Sequence, residues 1–357
     1  AVRGTLLVFL PLSSTEKNML NLDLLDTDTR LLFSVPLKSV QGDRFQPTGF
    51  PNLGPALYQT NDGQKLLVES VQSMANRLEA CCWDSSENQP VEPLRGISHV
   101  TVTRHGAFLT DSMLEAHRLN SPYLLQSKKD TSFLNTIKAE LGTLEEGPID
   151  RRKLTHVLLK YDVGSLIHGV FLAKSDLAGG RLRIARALSS FIEASGVRVA
   201  ASGGVKNDHV HPGKVEGDSK SHFGNIPFAR DEFTAESIVC HINLDLTQIR
   251  GYGLGNKVDT LLILLALYRL RRLLDGDLRL RTACDLEPVD RDNSRATLTK
   301  GFSLPSLADL EKALPKAISN CGEMMTQTTV TFEDKLKKAK DAGKENDQDE
   351  SEGTNGE

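Results

Sequence analysis

The residues best equipped for chemistry fall in one stretch, Gln41 to Arg77. Its first half, QGDRFQPTGFPNLG, carries Gly42, Gly49 and Gly54 among Pro47, Pro51 and Pro55. Glycine opens backbone conformations closed to other residues and proline fixes φ, so such a loop keeps a shape while leaving amides free for a ligand. Gln41, Arg44, Gln46 and Thr48 add side-chain donors, and Phe45 and Phe50 add flat apolar surface. The second half, KLLVESVQSMANRLEA, predicts a helix from about Lys65 to Cys82. Leu67, Val68, Val71, Met74, Ala75 and Leu78 would share one face. Glu69, Gln72, Ser73, Asn76 and Arg77 would share the other. Glu69 apart, that polar face offers donors, which suits an extended, phosphate-rich ligand. A half-buried helix with a solvated face has the same pattern, and spacing alone leaves both readings open.

Asp43 is the acid of most interest. A carboxylate among backbone-binding groups can hold Mg²⁺ or assist attack by a 2′-hydroxyl. It can equally orient Arg44 or cap a turn, and spacing places no second acid beside it for a two-metal centre. The structural role is the one expected. His209, His211 and His222 lie within fourteen residues, but an HxH pair in a polar loop is a weak metal signal. GYGLG at Gly251 to Gly255 has GxGxG spacing rather than GxGxxG, and Asp259 stands where a pyrophosphate would sit; a tight turn is expected there. The chain has no GxxxxGK[ST], HExxH or GxSxG. No catalytic residue, metal or cofactor is expected.

The elements that must hold these residues follow from periodicity. Leu31, Phe33 and Val35 alternate with polar neighbours, so Arg30 to Lys38 reads as a strand feeding the Gly/Pro loop. SHVTVT is a second strand, and residues 104–150 read as an inserted, mostly helical segment. A helix is expected from about Arg181 to Ala194, then a second Gly-rich loop, ASGGVKNDHVHPGKVEG, with Lys206 to Asn225 as a hairpin or arm. Ile238 to Leu246 alternates as a strand. A buried core helix spans about Lys257 to Leu274, its Leu-rich run ended by Arg269, Arg271 and Arg272. A basic-faced strand around Leu278 to Arg281 and a helix over Ser306 to Ser319 follow. The order predicts an α+β fold with helices on a largely antiparallel sheet.

Composition narrows the function. At 357 residues the chain can bury a full core. Its formal charge of −4 speaks against nucleic acid until it is located. Seven acids and one base fall between Asp341 and Glu357, so this tail leaves a mildly basic body. From Ser165 to Arg230 nine bases face five acids. Five cysteines without a CxxC pair favour reduced thiols and a cytoplasmic protein. The apolar runs at Leu6 and Leu261 are too short for a bilayer, so no membrane is expected. Residues 1–18 read as a leader of uncertain order, 19–335 as the body, and 336–357 as a disordered acidic tail.

Several long strings then occur in order: VQGDRFQPTGFPNLG, LLVESVQSMANRLEA, SLIHGVFLA, SGGVKND, GNIPFARDEFTAE, NLDLTQIRGYGLG and LRLRTACDL. Over about Met19 to Leu286 the chain resembles the CRISPR-associated RAMP backbone subunit of the Cas-seven type, subtype I-U or I-G. The resemblance implies an RRM-like (ferredoxin-like) palm with inserted fingers and thumb, the thumb insertion at about 204–230. It implies copies stacked along a CRISPR RNA with other Cascade subunits, and target DNA read through the guide. It assigns RNA contacts to Gln41, Gly42, Arg44, Phe45, Gln46, Ser70, Gln72, Ser73, Asn76 and Arg77, and to Lys206, Asn207 and His209 in the arm. The chain lacks the aromatic strings of a free-standing RRM, so binding would run through phosphates and 2′-hydroxyls rather than base sequence. Some relatives in other CRISPR types cut RNA with a loop aspartate, which keeps an Asp43 ribonuclease as the alternative.

Overall fold

A computed structural model describes residues 20, 22–50, 54–142, 150–206, 226–276, 278–291, 295–297, 299 and 301–335. The first strand, β1 (Arg30–Ser39), buries Leu31, Phe33, Val35 and Leu37 and turns the alternate residues outward, as its two-residue period requires. The chain returns through β2 (Leu57–Thr60) and β3 (Gly63–Glu69) into helix α1 (Val71–Ala80). Strands β4 (His99–Arg104) and β5 (Ala107–Asp111) lead into short helical turns, then α2 (Ser132–Leu141), α3 (Arg151–Tyr161) and α4 (Val163–His168). Next come a small hairpin of β6 (Val170–Leu172) and β7 (Leu182–Ile184), the strand β8 (Leu188–Ser195), and a long hairpin of β9 (Arg198–Lys206) and β10 (Ile226–Thr234). The chain ends with β11 (Ser237–Asp245), α5 (Asn256–Gly276), β12 (Arg279–Arg281), β13 (Cys284–Pro288), α6 (Leu307–Cys321) and β14 (Gln327–Thr331).

Among the described residues the main sheet has seven strands in the order β12-β13-β1-β11-β8-β3-β2, every pair antiparallel. The register sets Phe33 opposite Ile242 and Leu188 opposite Leu244, so one face is apolar. α1 and α5 contact each other, α1 packs on β8, and α5 packs on β13. Chain order and sheet order interlock: β1 and β8 flank β11 with α1 between them in sequence, while β11 and β13 flank β1 with α5 between them. The other face is half open, with Ser34, Phe191, Glu193 and His241 across neighbouring strands. β14 pairs in parallel with β4, outside the main sheet.

Two expected helices are partly or wholly strands. Lys65 to Glu69 belongs to β3, where Leu66 and Val68 alternate inward, and the extended Ser70 (φ −81°, ψ 159°) separates strand from helix. Residues 181–194 form β7 and β8 instead of a helix. Leu188, Ser190, Ile192 and Ala194 all point inward at period two, which the scattered arginines and alanines of that segment disguised. ASGGVK, expected in a loop, lies in β9, and β9 with β10 makes the hairpin foreseen there. Asn207 and His209 lie outside the described residues, as do residues 1–18 and the acidic tail. GYGLG follows a short helix, Leu246–Gly251, and turns into α5 with Gly253 and Gly255 at positive φ. Arg269, Arg271 and Arg272 follow the Leu-rich run inside α5, as expected, and Arg269 is wholly buried. No helix of the described residues is long and apolar enough to cross a membrane.

Arg269 is tolerated because it faces other charges. Glu79, at the end of α1, lies 2.7 Å from Arg118 and 3.6 Å from Arg269, all three buried. Burial pushes the Glu79 carboxyl up to about 7, against the pull of the two arginines. Asp162, bonded by the Ser165 hydroxyl at 2.6 Å, and His168 complete the cluster. Gly164 leaves the room it needs, since a Cβ there would stand 2.6 Å from Glu79 Oε1 and 3.1 Å from Asp162 Oδ1. The Glu79 carboxylate cannot swing away without leaving its arginines, so Gly164→Ala is expected to cost ~1–3 kcal/mol in chemical denaturation, an overpacking effect.

Burial first, then Arg269, Arg118 and Arg186, hold the His168 imidazole well below its usual pKa. The folded chain therefore keeps this ring neutral where the unfolded chain binds a proton. Its contribution is complete above the ordinary pKa of ~6.5 and is lost as pH falls below it. Unfolding free energy measured from pH 7.5 to 5 should show this decline in the wild type and a shallower one in His168→Leu.

Candidate nucleic-acid interface

The Gly/Pro loop is held by backbone bonds, not by its prolines alone. Phe45 exchanges both backbone hydrogen bonds with Phe233 of β10, at 2.9 and 2.8 Å. The Gln46 amide donates to the Ala283 carbonyl at 2.7 Å and the Thr48 amide to that of Val68 at 2.9 Å. Arg281, from β12, donates to the carbonyls of Gln46 (2.7 Å) and Val68 (3.2 Å). Loop, hairpin base, β3 and β12 are thereby tied into one body. Gly42 takes φ +66° at the exposed tip, a left-handed conformation that favours glycine.

The same arginine reaches the start of α1. Arg281 lies 2.5 Å from Glu69, and Arg77 lies 3.3 Å from the same carboxylate while donating to the Leu280 carbonyl at 2.5 Å. Glu69 is 1% exposed, so it is an internal anchor for two arginines and not part of a solvated helix face. Ser70 is the N-cap, its hydroxyl accepting from the Ser73 amide at 3.2 Å. The first turn of α1 carries no acidic residue. This leaves the positive end of the helix dipole uncompensated by its own side chains.

The expected site residues separate by availability. Gln41, Gly42, Arg44 and Gln72 are exposed; Gln46 and Ser73 are partly so. Arg44 reaches Glu232 of β10 at 3.8 Å with more than half of its side chain still exposed. Asn76 and Arg77 are half-buried and already engaged, Asn76 accepting from Arg118 at 3.3 Å. Phe45 is 1% exposed, so its ring is core and offers no stacking surface; its bridge to Phe233 pulled it inward. Lys206 is the last residue of β9, opposite Ile226 and eight residues beyond the hairpin base, ~26 Å at strand rise. The hairpin base meets the loop through Arg44 and Phe45, whereas Lys206 lies at the far end of the described hairpin. Asp43 is exposed on the same loop.

Sequence inspection missed two features. One is Arg281, whose alternation with Leu280 read only as a basic strand face. The other is the open sheet face, where the Phe191 and His241 rings sit 5.1 Å apart beside Glu193, which accepts from the Tyr58 hydroxyl. It is visible only once residues 188–195 are read as a strand opposite residues 237–245.

Residues 31–199 match the family model described as CRISPR-associated protein GSU0053. Over just under half of its length the chain is similar to that CRISPR-associated family. The matched stretch includes the loop, α1 and β8. No curated protein matches the sequence. Among solved structures, a chain of a "CRISPR RNA-guided surveillance complex, pre-nicking" aligns with 10% identity and TM-score 0.35, covering 72% of this chain and 76% of its own. Csc2 of Thermofilum pendens aligns with 10% identity and TM-score 0.29, covering 84% and 79%. Both superpositions are loose.

Replacing Arg281 leaves Glu69 buried with one distant partner and frees the loop. Arg281→Met is expected to destabilise the protein by ~3 kcal/mol in urea denaturation, the cost of breaking a buried pair from one side.

Proposed function

We propose that the chain is a non-catalytic, cytoplasmic backbone subunit of a type I-U/I-G CRISPR interference complex, one that binds the guide RNA, stacks with copies of itself along it, and presents it for pairing with target DNA. The observation that carries the reading is the clamped loop beside α1. A fixed backbone presents Gln41, the Gly42 amide and Arg44, while Gln72 is exposed on a first helical turn that carries no acidic residue. Such a surface suits phosphates and is blind to base identity, as a protein that accepts any guide must be. The interlocked order β13-β1-β11-β8 with α1 and α5 supports an RRM-like palm, in which the β9–β10 hairpin takes the part of a thumb. The family match supports the CRISPR setting.

Filter binding tests the surface. Arg44→Ala and Gln72→Ala should each weaken guide RNA several-fold without changing thermal stability, and the double variant should weaken it further. Unchanged affinity in all three would refute the site. Binding should fall steeply with salt, and the slope should flatten in Arg44→Ala. Arg77→Ala is expected to lower stability as well as affinity, because Arg77 is also a partner of Glu69. The non-catalytic part is tested with assembled complex, matched RNA and Mg²⁺: regularly spaced cuts that disappear in Asp43→Ala would make the protein a ribonuclease.

A further inference from the structure

A cavity of about 860 Å³ lies between α3, α4, the β6–β7 hairpin and the turn before α5. Five arginines line it: Arg118, Arg151, Arg152, Arg183 and Arg186. No carboxylate stands among the described residues of its wall. Arg118 is paired with Glu79, but none of the other four has an ion-pair partner among the described residues. Burial and Arg118 depress the Arg186 guanidinium, as expected of crowded cations without an anion. Like charges held together at this density destabilise the empty protein, and an anionic ligand would relieve them.

Two further residues define the ligand. His168 lies at the cavity floor with no exposure, and neither ring nitrogen has a hydrogen-bond partner. An imidazole fully removed from water with both nitrogens unmet is costly unless the cavity wall shifts and a ligand meets them. Being neutral, it offers one donor and one acceptor, the complement of a nucleobase edge. Phe171, on β6, stands at the rim 53% exposed and gives a flat apolar surface. Gly169 lets the hairpin close over His168, since a Cβ there would come within 2.9 Å of the Ile184 carbonyl oxygen.

The geometry points to a second site that binds a nucleoside phosphate, its phosphate on the arginines, its base edge on His168 and its ring face toward Phe171. The site is independent of the guide-binding surface and does not rest on that reading. The ligand is either a free nucleotide or one unit of a single strand, and the cavity volume accommodates either.

Calorimetry on the full chain distinguishes these, with 5′-AMP, adenosine, inorganic phosphate and the tetranucleotide rA4 as probes. AMP is expected to bind at least ten-fold more tightly than adenosine or phosphate. Arg183→Ser and Phe171→Ala, both at exposed positions, should each weaken AMP about ten-fold with unchanged melting temperature. Arg44→Ala and Gln72→Ala should leave AMP binding intact, which separates failure here from failure of the guide surface. Tighter binding of rA4 than AMP supports a strand unit; equal binding supports a free nucleotide. Absence of AMP binding, phosphate binding as tightly as AMP, or wild-type affinity in both cavity variants would overturn the proposal.

Discussion

Helix α1 is fastened at both ends by a buried glutamate shared between two arginines. Glu69 lies against Arg77 and Arg281 just before the helix; Glu79 lies against Arg118 and Arg269 near its end. Either carboxylate alone would be prohibitively expensive to bury, and either pair of arginines alone would repel. Together they bring α1, β12, α5 and the segment before α2 to one place. Apolar packing could bury the same area but would tolerate sliding; charges that must meet fix the position of the helix more narrowly.

This arrangement decides which donors the helix can spare. Arg77, which appeared to be a free cation on a solvated face, is half committed to the core. Asn76 is drawn toward Arg118. The outward capacity shifts to Gln72, to the amides of the first turn and to the loop tip, where Arg44 keeps most of its reach. Arg118 also stands at the wall of the arginine-lined cavity, so one buried ion pair borders both the helix that carries the proposed guide surface and the second site. The two surfaces are separate in their ligand contacts yet share a structural support.

Legibility followed the strength of the local period. β1, β11, α5 and α6 were plain in the sequence because each buries one continuous stripe, or in α5 nearly every side, over many residues. The division at Ser70 was not: Leu67, Val68, Val71, Met74, Ala75 and Leu78 satisfy a helical template loosely even though the first two belong to a strand. Residues 181–194 failed for the same reason, a short segment in which two periods fit almost equally. Sheet neighbours settle such cases, and those of β8 are more than forty residues away, as in the pairing of Ile192 with Cys240.

The sequence by itself determined the antiparallel α+β character, the position of the Gly/Pro loop after the first strand, the basic body with its acidic end, and the family strings that point to a CRISPR-associated protein. These are local or compositional properties, carried by consecutive residues. Tertiary structure alone decided that Phe45 is core, that Glu69 and Glu79 are anchors, that Arg281 clamps the loop, and that five arginines line the cavity that His168 borders. Each depends on the meeting of groups far apart in the chain. A charge or an aromatic ring has no fixed role until the fold determines what it faces and how much water remains around it.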